Sequence, residues 1–214
     1  MDESSLLQRI GRKNSNPATL AGQVIEEPAL VAGLLAGLDA PKAQVKYKCE
    51  KILRMVGERQ PEILYPHFDF FARMLDCANS FLKWGAIQDI ANMARADTQN
   101  KFESIFEKYF SPIPGPVMIT AANTIGGAAR IALAKPHLAG RITAEILKVG
   151  KARYQTAECR NVAIGHAIGS FDRFFELVEA KTSIIRFVKR QLKNTRPAVR
   201  RRAEAFLNRR NIPF

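Results

Sequence analysis

The residues best placed to do chemistry in this chain are cations. From Lys181 to Phe214 eleven Lys or Arg stand against one acid, Glu204. In "IIRFVKRQLK" the residues Arg186, Lys189, Arg190 and Lys193 recur at i, i+3, i+4 and i+7, a stripe on one side of a helix. Ile184, Ile185, Val188 and Leu192 take the other side. In "VRRRAEAFLNRR" Arg200, Arg201 and Arg202 run consecutively, and Arg202 shares a helical face with Arg209. Such a field suits a phosphate backbone, where each neutralised phosphate releases a counterion. A polar cap on a terminal unit explains charge as such, but mixed signs would serve solubility better than one sign. Aromatic residues for base stacking are few here, namely Phe187, Phe206 and Phe214. No base-reading motif is present.

Other chemistries find less support. "NTIGGAAR", Asn123 to Arg130, pairs two glycines but lacks the Lys–Ser/Thr that a phosphate loop requires. His67, His137 and His166 are far apart, and no C-x-x-C or H-x-x-x-H spacing offers a metal site, so neither metal nor cofactor is expected. His166 falls on the interior side of its helix and is expected to be buried. Cys49 and Cys159 occupy apolar positions, where a thiol acts as a small hydrophobe. Three cysteines, an odd number without a secretory leader, imply free thiols in a reducing compartment, hence a cytoplasmic protein. No apolar run reaches the length of a membrane helix, so no insertion is expected.

Across 214 residues the formal charge is +13, with 33 basic and 20 acidic side chains. That balance favours anionic partners. The elements that must position these cations announce themselves as a repeat. Val45, Leu82, Val117, Cys159 and Val199 each follow a polar turn, at intervals of 37, 35, 42 and 40 residues. Four positions on stand Cys49, Ala86, Ala121, Ala163 and Ala203, and eight on stand Leu53, Ile90, Ile125, Ala167 and Leu207. These spacings lie along one helical face, so each anchor opens an amphipathic first helix. A second helix precedes each anchor and ends at Leu38, Leu75, Phe110, Leu147 or Leu192. Pro28, Pro61 and Pro136 open second helices, and Pro41 and Pro197 open first ones. The segment "KVGKARYQTAE" lengthens the fourth turn as an insertion.

The columns aliphatic–cation–x–x–small–x–x–x–apolar, best seen in Val199–Arg200–x–x–Ala203–x–x–x–Leu207, resemble HEAT repeats. The resemblance implies an all-α, right-handed superhelical solenoid of about five helical hairpins, with second helices lining a concave face. It covers residues 17–210, with basic units at 181–210. Residues 1–16 read as a polar, disordered N-terminal arm. HEAT-like hydroxylases use His–Glu pairs for iron, and this chain has no His–Glu dipeptide. HEAT-like DNA glycosylases show a tandem Trp–Trp–Asp stretch. "LKWGAIQDI" has one tryptophan, Trp84, with Asp89 at i+5 instead of i+4. Trp84 is therefore expected to be an interface anchor. The resemblance implies a non-enzymatic scaffold that binds a protein segment on its concave face. Nucleic acid held by the basic C-terminal units is the alternative.

Overall fold

A computed structural model describes residues 3–213; Met1, Asp2 and Phe214, with the aromatic role considered for the last, lie outside the described residues. The described residues form thirteen α-helices and no strand. They divide into two compact units, Met1–Ile105 and Phe106–Phe214.

In the first unit, α1 (Glu3–Gly11) and α2 (Pro17–Glu26) precede α3 (Val31–Gly37), α4 (Ala43–Arg59), α5 (Phe68–Met74), α6 (Ser80–Met93) and α7 (Lys101–Ser104). First helices pack on first helices, α2 on α4 and α4 on α6, while α3 and α5 lie against them as a second layer. The expected anchors Val45 and Leu82, the small Cys49 and Ala86, and the apolar Leu53 and Ile90 are all buried. Helix α1 departs from the expected disordered arm. Leu6 and Ile10, one turn apart, are fully buried against α3 and α4. Lys48 of α4 fastens its end, donating from Nζ to the carbonyls of Ile10 (3.2 Å) and Arg12 (2.8 Å) and to Ser15 Oγ (2.6 Å). A cation at a helix C-terminus satisfies carbonyls that the helix itself leaves open.

The second unit comprises α8 (Phe106–Phe110), α9 (Met118–Ala134), α10 (Ala139–Leu147), α11 (Ala157–Phe174), α12 (Thr182–Arg190) and α13 (Pro197–Asn208). Here α9, α11 and α13 form the first-helix layer, and α10 and α12 the second. Phe171, Phe174, Phe175, Phe187 and Phe206 fill the core between the layers. Edge-on contacts join Phe171 to Phe187 (5.9 Å) and Phe175 to Phe206 (5.3 Å). The third expected anchor fails: Val117 is 50% exposed and caps α9, while Ala121 and Ile125 further along are buried.

One joint recurs. At Glu27, Gln60 and Lys135 a first helix ends at φ near −130° and ψ near 75°, and proline follows at once, opening a 3-10 turn into the second helix. Each joint residue sends its N–H back to the carbonyl four residues earlier. A residue before proline is driven out of the α region, so the sequence X–Pro itself stops one helix and starts the next. Pro197 likewise opens α13, whereas Pro41 sits in the turn ahead of α4 and not inside it.

Cys49 is fully buried, and its Sγ would lie 2.5 Å from a Cβ on Gly37. Burial pushes the Cys49 thiol up from 9.0 to about 12. A thiol raised in the fold stabilises the protein fully below its unfolded value. That contribution fades as pH rises from about 9 toward about 12, because only the unfolded chain ionises. All three cysteines are free. Native protein at about pH 8 is expected to react with a thiol reagent at Cys77 and Cys159 only, Cys49 reacting after unfolding. Three equally fast thiols would refute this.

Candidate functional site

The cations of the C-terminal segment do not form one surface. Arg186, Lys189 and Arg190 of α12 and Lys193 of the 3-10 turn that follows it, in the second-helix layer, surround a shallow depression of about 560 Å³ that also takes in Thr182 and Ile185. Arg201 and Arg202 stand on α13 and Arg209 at its C-terminal cap, in the first-helix layer. Arg200, expected with them, turns inward instead. Its Nη1 donates to the carbonyls of Asn194 (2.7 Å) and Thr195 (3.2 Å), closing the turn behind α12.

Several other cations hold the fold together. Arg209 and Arg210 both grip Asp172 of α11, Arg210 at 2.7 Å. Arg210 also lies over the rings of Phe206 (3.9 Å) and Phe175 (4.5 Å). Arg196 pairs with Glu158. Lys181 pairs with Glu176 at 2.6 Å, which holds that carboxyl below its ordinary value. Among the described residues, Arg173, Arg201 and Arg202 have no ion pair and no side-chain hydrogen bond.

These three open guanidinium groups border a groove of about 610 Å³ that crosses α9, α11 and α13. Its floor is made of small residues: Gly126 and Ala129 from α9, Gly165 and Gly169 from α11, Ala198 and Ala205 from α13. Small positions let helices approach and leave the surface between them hollow. His166 also lines it, exposed and not buried as the helical register predicts. Desolvation, with Arg202 adding its charge, lowers the His166 pKa from 6.5, so the ring is neutral at pH 7. Ser170 is buried in the wall, and its Oγ has no hydrogen-bond partner. The resemblance places the binding face on the second helices, yet this groove lies on the first-helix layer.

In the first unit Trp84 is half-buried on α6. It belongs to a chain of rings, Tyr47–Phe81 at 5.3 Å and Phe81–Trp84 at 5.2 Å. Phe81 is 62% exposed and Tyr47 39%. Asp89 points elsewhere: its Oδ1 lies against Gly57 of α4, 3.3 Å from where a Cβ would stand. Five residues along a helix turn the two side chains to different sides. Glu50 was not singled out by sequence. It packs over Gly85, next to Trp84, and burial raises its pKa while Arg54 at 3.5 Å opposes the rise.

Among the described residues no group of three or more His, Cys, Asp or Glu could hold a metal ion, and no helix is long and apolar enough to cross a membrane.

The sequence matches no protein-family model and no curated protein. Solved structures do resemble it. A designed armadillo repeat protein superposes with a TM-score of 0.62 at 14% identity, covering 97% of this chain and 99% of that one. A second, in complex with peptide (KR)4, gives 0.59 at 14% identity over 97% and 99%. A crystal structure of an engineered protein gives 0.60 at 13% identity over 97% and 96%. The chain is an all-α helical-repeat solenoid. Within that class its fold is of the HEAT/armadillo-like kind.

Proposed function

We propose that the protein is a non-enzymatic helical-repeat scaffold that binds nucleic acid through the basic surfaces of its second unit. One observation carries this reading. The first unit has thirteen basic and thirteen acidic residues, whereas the second has twenty against seven, the whole +13 of the chain. Internal pairing uses some of those charges, but the borders of the first-helix groove and the α12 stripe keep theirs directed at solvent. A field of one sign on the second unit attracts a polyanion. The sequence put a protein partner first; a groove bordered by guanidinium groups with few apolar side chains favours phosphate over a hydrophobic segment.

Labelled duplex and single-stranded DNA and RNA, titrated at about 50 and 200 mM salt, test this reading. Wild type is expected to bind in the micromolar range or tighter, with a steep salt dependence. Charge reversal at Arg173, Arg201 and Arg202 is expected to weaken binding by about a hundredfold. Binding should also tighten as pH falls from about 8 to about 6, because an anion favours protonated His166, whose free pKa lies below 6.5. No binding at low salt would sink the proposal.

A second reading, a protein partner, is favoured by the exposed rings of Tyr47 and Phe81 beside Trp84. One designed neighbour was solved in complex with peptide (KR)4, which supports peptide binding as the second reading. Loss of a partner from a Phe81→Ser variant with intact nucleic-acid binding would support it.

A further inference from the structure

We propose that the first-helix groove of the second unit is a seat for one phosphate group of a nucleic-acid strand, held by Arg173, Arg201 and Arg202 over a floor opened by Gly126 and Gly169. The inference rests on the nucleic-acid reading above and adds which moiety is recognised and where.

Geometry assigns the moiety. The lining contains three guanidinium groups without protein partners, but no Phe, Tyr or Trp to stack a base, only the imidazole of His166, and no Asn or Gln to read a base edge. What remains is the chemistry of a phosphate: forked N–H donors, a hydroxyl and room for a compact anion. The hydroxyl is that of Ser170, 4% exposed, with its Oγ lacking any partner in the protein. A buried hydroxyl without a bond is costly, and a turn about χ1 toward the groove would let a bound oxyanion accept from it. Asp172 also lines the groove, but Arg209 and Arg210 hold its carboxylate, so its charge is doubly offset.

Access depends on glycine. Arg202 lies down on α11, with Nη1 3.1 Å from where a Cβ on Gly165 would stand. At Gly126 and Gly169 an added Cβ would meet nothing within 4 Å. Glycine inside a helix is less favourable than alanine, and here no packing demands it. The space these two leave is the floor itself.

That space supplies a test that leaves every charge in place. A Gly126→Leu, Gly169→Leu variant fills the floor with good helix formers, so its melting temperature should not fall. Its affinity for a short labelled duplex is expected to drop about tenfold, with the slope of log affinity against log salt smaller by about one phosphate. Ser170→Ala should weaken binding about threefold without changing that slope. Inorganic phosphate should shift the His166 ring resonances saturably in wild type and not in the filled variant. Duplex affinity within about twofold of wild type in the filled variant would overturn the seat while leaving nucleic-acid binding by the unit intact. Equal competition by a polyglutamate peptide would overturn the assignment to phosphate. If wild type binds no duplex at all, the reading beneath the seat falls, and the seat falls with it.

Discussion

A Gly115→Val variant is expected to lose about 2–4 kcal/mol of stability. Gly115 has φ of +119°, a region that L side chains rarely adopt. A Cβ there would stand 2.3 Å from the carbonyl oxygen of Arg153 and 3.0 Å from its carbon. Neither strand of the contact can yield cheaply. Arg153 N–H donates to Pro114 O at 2.9 Å, and the hydroxyl of Tyr154 donates to Ile113 O at 2.5 Å. The long turn before α11 is thus pinned to the loop after α8, and valine would have to break that pinning or bend its own backbone. Forced φ costs about 1–3 kcal/mol, and a lost hydrogen bond about 1 kcal/mol more. In a chain of this size the melting temperature should fall by roughly 10 °C. A loss below about 1 kcal/mol in denaturant titration would show that the loop moves freely.

Asp97→Ala should cost a comparable amount, about 3 kcal/mol, in the first unit. The carboxylate is 6% exposed and collects donors from two directions. Its Oδ1 accepts from Tyr65 Oη (2.7 Å) and from the N–H of Lys101 (2.8 Å), and its Oδ2 accepts from the N–H of Phe102 (2.9 Å). Alanine leaves the first turn of α7 without those acceptors, and burial keeps water from replacing them fully. Hydrogen exchange at Phe102 should quicken. The Tyr65 pKa, raised first by burial and next by its bond to Asp97, should move back toward 10.0 without reaching it. An unchanged tyrosine titration with full stability would contradict the network.

Much of the repeat was legible because the first helices write the same short code: an anchor that is aliphatic in all but the Cys159 unit, a small residue one turn on, an apolar one after the next. Val117 shows the limit of that code, since the spacing is right while the residue stands at the N-cap of α9 with its side chain in solvent. Helix α1 was legible too, in the i, i+4 pair Leu6 and Ile10, but the polar residues around the pair outweighed it. The candidate site was harder to read because charge counting sees cations and not their partners. Arg196 meets Glu158, Arg209 meets Asp172, and Arg210 meets Asp172 at separations of 38, 37 and 38 residues. Those separations are one repeat length, so the partners sit on the neighbouring first helix. The acid one period back thus marks Arg209, a candidate contact by sequence, as a paired cation. Arg200 bonds backbone carbonyls of its own turn, a partner that no side-chain spacing announces. The groove floor follows the same logic, with Gly126 and Gly165 one period apart on adjacent helices.

The proline joints at Glu27, Gln60 and Lys135 have a consequence for how such a chain can lengthen. Because the same backbone angles recur at each, a stretch of gene copied from one joint to the next would carry its own punctuation. The inserted copy would begin and end in conformations its neighbours already accept, with no new connector to invent. Tandem duplication between these points is then nearly neutral for folding. Growth or shrinkage by whole hairpins is the path of least resistance for this architecture.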